Sequence, residues 1–213
     1  TIYGLRSYAK EVWIEGTLIV APYDTKVHKC SGTLTLQAPK ITVGAKGQIL
    51  ADAAGFHGGQ PAATLGGHQG EGPGGSCGGG RGQSVGQSGT GGSYGGVGGI
   101  PKNIFAEDNP CKTCDNDTES KGHCHGVPGV KYGDAADTLP RRGSGGSSAG
   151  NTQGCEFSGG RGGHGGGMVR IVGTTSVSID GLVTASGEEP RPPRFSEATQ
   201  GQKETSAGTP VET

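Results

Sequence analysis

Aromatic and other large apolar residues are scarce in this chain. Only 5% of its 213 residues are aromatic, it has one Trp and one Met, and 30% of its residues are apolar. No apolar run approaches the roughly 20 residues that span a bilayer, so the sequence predicts no membrane insertion. The formal net charge of −1 gives no overall field that would attract nucleic acid or anionic lipid. These deficits exclude a large conventional core and confine buried apolar surface to short segments.

Glycine, in contrast, is abundant, with 47 residues concentrated between positions 55 and 167. The glycines follow no strict Gly-X-Y period, which excludes a collagen helix. Two interpretations remain for this region. It is either a flexible loop or a set of extended polyproline-II-like or polyglycine segments that hydrogen-bond laterally, because glycine has no side chain to hold backbones apart. The cysteines beside the glycine runs favour the second interpretation, since cross-links require defined packing.

One pattern occurs three times, at residues 12–21, 41–53 and 177–187. Each copy reads apolar-x-apolar, then a corner with glycine, then a second apolar pair. Strict alternation predicts a strand with one buried face, and glycine at the corner predicts a turn with positive φ. Each copy follows another short alternating strand, at residues 2–5, 33–36 and 168–172.

The predicted fold class is all-β, with short parallel β-helix or solenoid rungs and a long glycine-rich insertion. Strands this short bury their faces when successive rungs stack in parallel. The alternative is three unrelated hairpins in an irregular all-β domain. Stacking predicts three apolar ladders: Val12 over Ile41 over Val177, Ile14 over Val43 over Ile179, and Leu18 over Ile49 over Val183.

The insertions divide the chain into four predicted regions. Residues 1–54 form two rungs, 55–167 a disulfide-linked insertion, 168–187 the third rung, and 188–213 a linker or further insertion rich in Pro, Thr and Ser. All insertions leave from one corner of the rung, as solenoids allow. We therefore expect the parent chain to continue into a fourth rung. No signal peptide is visible and the first residue is not Met, which is typical of a mature piece or an internal segment.

The six cysteines form an even set in a core-poor chain, which favours disulfides and an oxidising compartment. Asn116 begins an Asn-Asp-Thr sequon and is predicted to carry a glycan. Both features predict an extracellular or cell-surface location. The disulfide candidates are Cys30, Cys77, Cys111, Cys114, Cys124 and Cys155.

Two metal sites are conceivable within the insertion. Cys-x-x-Cys followed by nearby Cys and His has zinc-like spacing, although in an oxidising setting disulfides are favoured. Acidic residues at alternate positions could bind calcium, but the offsets do not match an EF-hand, so a solvated acidic loop is favoured. We predict no resident cofactor, with calcium as the candidate exception. The candidate ligands are Cys111, Cys114, Cys124 and His125 for zinc, and Asp115, Asp117 and Glu119 for calcium.

No local motif assembles an enzyme active site. Matches to Gly-x-Gly-x-x-Gly arise from composition and follow no strand of a βαβ unit. The Arg-Gly-Gly-like segment lacks the interleaved aromatics of RNA-binding boxes. His57, His68 and His164 stand isolated among glycines and are predicted to be surface residues. Asp52 and Asp180 are the acids on the rung faces, too few for the acidic groove of a polysaccharide-cleaving β-helix.

The stretches ITVGAKGQILADAAG, at 41–55, and GGRGGHGGGMVRIVGTTSVSIDGLVTASG, at 159–187, resemble the glycine-rich β-solenoid repeats of large secreted and cell-surface proteins. They are more distantly similar to the glycine-rich domain of anaplastic lymphoma kinase-like receptors, in which polyglycine helices pack in bundles. The resemblance covers residues 33–56 and 159–187. It implies a structural, surface or filament role and transfers no catalytic residues.

The predicted function is a structural building block of an extracellular fibre, appendage, coat or adhesin. Its expected partners are copies of itself or neighbouring modules of one long chain, with a glycan and without nucleic acid. One alternative is a binding module that recognises carbohydrate or a receptor through the insertion. A second alternative is a β-helix enzyme that acts on polysaccharide.

Overall fold

The computed structural model describes residues 1–24, 26, 29–60, 67–75, 92, 129–133, 141–150 and 159–191. Within these ranges the regular elements are all strands, which confirms the all-β class. The seven strands are β1 (Gly4–Ser7), β2 (Val12–Ile14), β3 (Thr17–Ile19), β4 (Thr33–Val43), β5 (Gln48–Leu50), β6 (Met168–Ile179) and β7 (Leu182–Thr184).

The strands form two sheets in which every pairing is parallel. In the first sheet β4 is central, with β1 and β2 along one side and β6 along the other. In the second sheet the order is β3, β5, β7. The chain passes from the first sheet to the second at each glycine corner, so each copy of the sequence pattern contributes one strand to each sheet.

The three predicted ladders are confirmed residue by residue in the strand register. Val12 pairs with Ile41, and Ile41 pairs with Val177. The other two ladders follow the same order: Ile14, Val43 and Ile179 in the first sheet, and Leu18, Ile49 and Val183 in the second.

The strands expected before each copy are not separate elements in the second and third rungs. They merge with the copies into β4 and β6, with a shift of register between Ala38 and Lys40. Pro39 lies at this irregularity, where its missing N–H removes no regular ladder bond. In the first rung the expected strand begins two residues later, at Gly4, and Ile2 instead bridges Val20 of the other sheet.

The core lies along the middle rung. Leu34, Leu36, Ile41, Val43 and Ile49 are at most 1% exposed. Of their counterparts in the other two rungs, Ile14 is also buried, whereas the others are partly buried or exposed. Most of the large buried apolar side chains therefore belong to the middle rung, and the first and third rungs cover it from either side.

The corner glycines are required for a reason other than the predicted positive φ. Gly44, Gly47 and Gly181 do not have positive φ. A Cβ at Gly47 would lie 2.2 Å from the Ile14 carbonyl oxygen, and one at Gly181 would lie 2.2 Å from the Gly47 oxygen. Successive corners stack so closely that no side chain fits between their backbones, which corrects the expectation of a special turn conformation.

Glycine-rich segments pack beside the strands through backbone hydrogen bonds. We call segments 55–60, 67–75, 141–150 and 159–167 the first to fourth glycine segments, and together the glycine bundle. The third and fourth run antiparallel, joined by Gly143 N to Gly166 O at 2.8 Å and Gly146 N to Gly163 O at 3.0 Å. Ala149 N to Gly160 O, at 3.0 Å, continues the same three-residue step.

The first glycine segment joins both of these segments. Phe56 N donates to Gly143 O and Gly59 N to Gly146 O, again three residues apart, whereas Gly162 N donates to Gly59 O. The three segments therefore bond to one another in a triangle, which a flat sheet cannot do. The backbones of these segments approach so closely that glycine is required, because a Cβ at Gly58 would lie 2.1 Å from the Gly162 oxygen.

Candidate functional site

The third rung presents apolar side chains that nothing in the described part of the chain covers. Val177 and Ile179 occupy the ladder positions whose neighbours, Ile41 and Val43, are completely buried, yet they are 43% and 50% exposed. Among the described strands β6 pairs with β4 alone, which leaves its other side open. We call these two exposed side chains, with the partly buried Val183 of β7, the open rung end.

A second feature is the brace between the glycine bundle and the connector that follows β3. The Arg142 guanidinium lies 4.3 Å from the ring centroid of Tyr23 and 5.0 Å from that of Phe56. It also donates to the carbonyl oxygens of Ser31 and Lys29. This combination of cation–π contacts and hydrogen bonds ties the third glycine segment to the strand stack.

Polar side chains within the bundle replace the missing core. Ser148 is fully buried; its hydroxyl accepts from His68 N at 2.7 Å and donates to Gln60 O at 2.8 Å. Ser144 is also buried, accepts from Gly74 N at 2.9 Å and donates to the Tyr132 hydroxyl at 3.0 Å. Each serine thus satisfies backbone groups of a neighbouring segment that would otherwise lose their hydrogen bonds on burial.

The histidines of the bundle are not isolated, contrary to the prediction. The rings of His57 and His164 pack edge to face with their centroids 5.0 Å apart. His57 Nε2 lies 2.7 Å from Tyr23 O, and Gly58 N donates to His164 Nδ1 at 3.2 Å. His68 is partly buried and bonds through its backbone to Ser148. Contacts between segments distant in sequence bring the rings of His57 and His164 together.

A charged cluster surrounds His164 where the fourth glycine segment meets residues 185–191. Arg161 contacts His164 Nε2 through a terminal guanidinium nitrogen. Glu188 Oε2 lies 3.5 Å from the same ring nitrogen, and Glu188 Oε1 accepts from Arg191 Nε at 3.1 Å and from its terminal nitrogen at 2.7 Å. The two backbones are also joined, by Glu188 N to His164 O at 2.8 Å and by Arg191 N to Arg161 O at 3.0 Å.

The environment shifts two ionisation equilibria in this cluster. Burial, with the adjacent Arg161 charge, lowers the pKa of His164 below its ordinary value, so the ring is neutral at pH 7. Desolvation acts to raise the pKa of Glu188, but hydrogen bonds from Arg191 and from His164 N outweigh it and hold that pKa below its ordinary value. The cluster at pH 7 therefore contains two guanidinium groups, one carboxylate and a neutral imidazole.

Most of the residues predicted to bind metal, form disulfides or carry a glycan lie outside the described residues, so these predictions stay open. They are Cys77, Cys111, Cys114, Cys124, Cys155, Asn116, Asp115, Asp117, Glu119 and His125. Cys30 is described and is exposed in the connector, where its backbone carbonyl accepts from the Thr33 hydroxyl at 2.7 Å. Among the described residues no group of three or more His, Cys, Asp or Glu side chains could hold a metal ion.

The two acids considered for an enzyme have local partners. Asp52 accepts from the Thr184 hydroxyl at 2.8 Å and from Ser186 N at 2.7 Å, which links the second rung to the third. Asp180 accepts from the Ser178 hydroxyl at 3.4 Å. Both acids are exposed and act within and between rungs.

The charged cluster has a sequence signal that composition obscures. Arg161 and His164 are three residues apart, and so are Glu188 and Arg191. An extended helix with three residues per turn places such pairs on one face. This spacing predicts that each pair lies on one face of its own segment, but it does not predict that the two pairs meet.

No protein-family model, curated protein sequence or solved structure matches this chain. The described residues also contain no helix with the length and apolar character needed to cross a bilayer. The functional interpretation therefore depends on the geometry alone.

Proposed function

We propose that the chain is a structural building block of an extracellular fibre, appendage, coat or adhesin. In this proposal the strands are the rungs of a short parallel β-solenoid, and the glycine bundle consists of polyglycine-II-like helices attached to one corner. The three-residue step of the bundle hydrogen bonds matches the three residues per turn of that helix. The partner is a copy of the same module or a neighbouring module of one long chain.

The observation that carries the proposal is the combination of an identical ladder register in three rungs with an open rung end. A further rung placed on β6 in the same register would cover Val177 and Ile179 as β6 itself covers Ile41 and Val43. Full burial of such a side chain is worth about 1.5–3 kcal/mol, and these half-exposed side chains have about half of that still to gain. Stacking of modules therefore has an apolar driving force, and the side of β6 that no described strand occupies is the template for it.

Concentration-dependent assembly tests this function. We expect purified protein to form rods that electron microscopy resolves and sedimentation quantifies. Ile179→Glu should raise the concentration needed for assembly by about tenfold or more, because it places a charge at the contact. Leu182→Glu is the matched control, since Leu182 is similarly exposed, at 46%, but pairs with Gln48 outside the apolar ladder.

Particles that stay monomeric at every concentration would overturn the proposal. Equal assembly of wild type and Ile179→Glu would overturn the assignment of the contact to the open rung end.

A further inference from the structure

A cleft of about 810 Å³ opens between the glycine bundle, the start of β6 and residues 185–191. Its volume lies in the range of small-molecule binding sites. Much of its wall is glycine backbone from the third and fourth glycine segments, and Met168, Val169 and Pro190 add apolar surface. The lining shares β6 with the open rung end but includes none of Val177, Ile179 and Val183.

The charge of the cleft is opposite to that of the chain. Arg141, Arg161 and Arg191 line it together with one carboxylate, Glu188, so three positive charges face one negative charge and the balance is +2. The whole chain has a net charge of −1. A concave, partly desolvated surface with this excess attracts anions more strongly than the same charges on an open face.

Arg161 has a hydrogen-bond donor that the described part of the chain leaves unused. Its Nε is buried and has no hydrogen-bond partner among the described residues. Its side-chain contact is with His164 Nε2, but the Nδ1 atom of that ring already accepts from Gly58 N. A neutral imidazole has one acceptor nitrogen, so Nε2 carries the proton and cannot satisfy the guanidinium. Arg191, by comparison, donates twice to Glu188 Oε1.

We propose that this cleft binds the oxyanion of a small acidic ligand, a carboxylate or a sulfate group, with Arg161 as the main contact. A planar guanidinium matches both groups with two parallel hydrogen bonds. Arg141 and Arg191 add charge at the rim, and Glu188 orients Arg191 and limits the affinity. The apolar wall at Met168 and Val169 accommodates the body of the ligand. Sugar acids and sulfated sugars carry the two groups in question.

Calorimetric titration of the full chain tests the site with three probes: sodium glucuronate, glucose 6-sulfate and uncharged glucose. We expect saturable binding of at least one anionic sugar, weakened by added salt, and none of glucose. Tighter binding of glucuronate identifies a carboxylate site, and tighter binding of the sulfate ester a sulfate site. Equal binding of all three sugars, or no saturable binding, would overturn the proposal.

Variants locate the site. Arg161→Gln should weaken binding of the anionic sugar about tenfold or more, the usual effect of removing a charged hydrogen-bond donor. Arg161→Lys should weaken it less, because the charge is kept and the fork is lost. Arg6→Gln is the matched control, since Arg6 lies on β1 and contacts the Tyr3 ring. Unchanged affinity in Arg161→Gln, or an equal loss in Arg6→Gln, would refute the assignment.

A second variant keeps the test valid if Arg161 proves necessary for folding. Glu188→Gln removes the one carboxylate that lines the cleft among the described residues and releases Arg191, so the anionic sugars should bind more tightly while glucose still does not bind. Binding that weakens or does not change would contradict the proposed charge balance. Because the rod assay uses other residues, failure of this site and failure of rung stacking are distinguishable.

Discussion

The strand stack and the glycine bundle are packed in opposite ways. In the stack, branched apolar side chains fill the space between two sheets, and Ile41, Val43 and Ile49 are completely buried. In the bundle, backbones touch directly, and a Cβ at Gly58, Gly145 or Gly162 would lie 2.0–2.1 Å from a neighbouring carbonyl oxygen. One region depends on side-chain volume and the other on its absence.

This difference explains how a chain with few large apolar residues can be ordered over two regions. The stack concentrates the hydrophobic effect in one rung, where each side chain is worth most. The bundle relies on backbone hydrogen bonds between segments, which repeat every three residues, and its buried serines bond to further backbone groups. Removing methyl groups should therefore damage the stack, whereas adding them should damage the bundle.

Truncation in the middle rung should have the largest effect. Ile41→Ala should lower the free energy of unfolding by about 2–5 kcal/mol, because it leaves a cavity between two rungs. Ile179→Ala removes the same atoms from the neighbouring ladder at a half-exposed position and should cost less than about 1 kcal/mol in the monomer. Urea denaturation below the assembly concentration measures both. Equal losses would mean that the rungs are not differentially buried.

Adding a methyl group to the bundle should have the next largest effect. Gly58→Ala should cost about 1–3 kcal/mol, since the new Cβ must displace the backbone at Gly162. Gly16→Ala is the control, because a Cβ there meets nothing within 4 Å, and its change should stay within about 0.5 kcal/mol. A tolerant Gly58 combined with a sensitive Gly16 would contradict the close packing of the bundle.

Acidification should have the smallest effect and should act through the charged cluster around His164. The folded-state pKa of His164 lies below its ordinary value of 6.5, so the unfolded chain binds the proton first. Stability is therefore complete above about pH 6.5 and falls as the pH drops through the folded pKa. Glu188, whose pKa lies below 4.5, adds a second loss in more acidic solution.

Urea midpoints measured against pH check this expectation. In His164→Gln the decline that begins near pH 6.5 should shrink, while the acidic decline from Glu188 should persist. A pH profile identical to that of the wild type would show that His164 does not contribute.

The strand stack could be predicted from sequence because its signal is local and strictly alternating. Val12, Ile41 and Val177 each begin the same short pattern, and that is enough to fix the register. The role of the corner glycines could not be predicted, because the contact between Gly47 and Ile14 joins successive rungs. Turn chemistry explained the residue type but gave the wrong physical cause.

The bundle and its charged cluster were beyond such an analysis. Lateral contact between glycine segments was predicted, but glycine repeats carry no side-chain pattern that says which segments meet. His57 and His164 are 107 residues apart, and no local spacing relates them. The (i, i+3) pairs Arg161–His164 and Glu188–Arg191 contained usable information only once a three-residue helical repeat was assumed.

Because the hydrogen bonds of the bundle repeat every three residues, they do not by themselves fix how one glycine segment is aligned with its neighbours. If one glycine segment slips along its neighbours by a full turn, the same backbone groups can pair again, because successive glycines are equivalent. The few side chains within the bundle must then select the alignment. Ser148, Ser144 and Arg142 each reach a specific group elsewhere in the chain. A slip of three residues would put Gly145 in the place of Ser148 in one direction and of Arg142 in the other. A few such residues suffice to select one alignment from several that the backbone alone accepts.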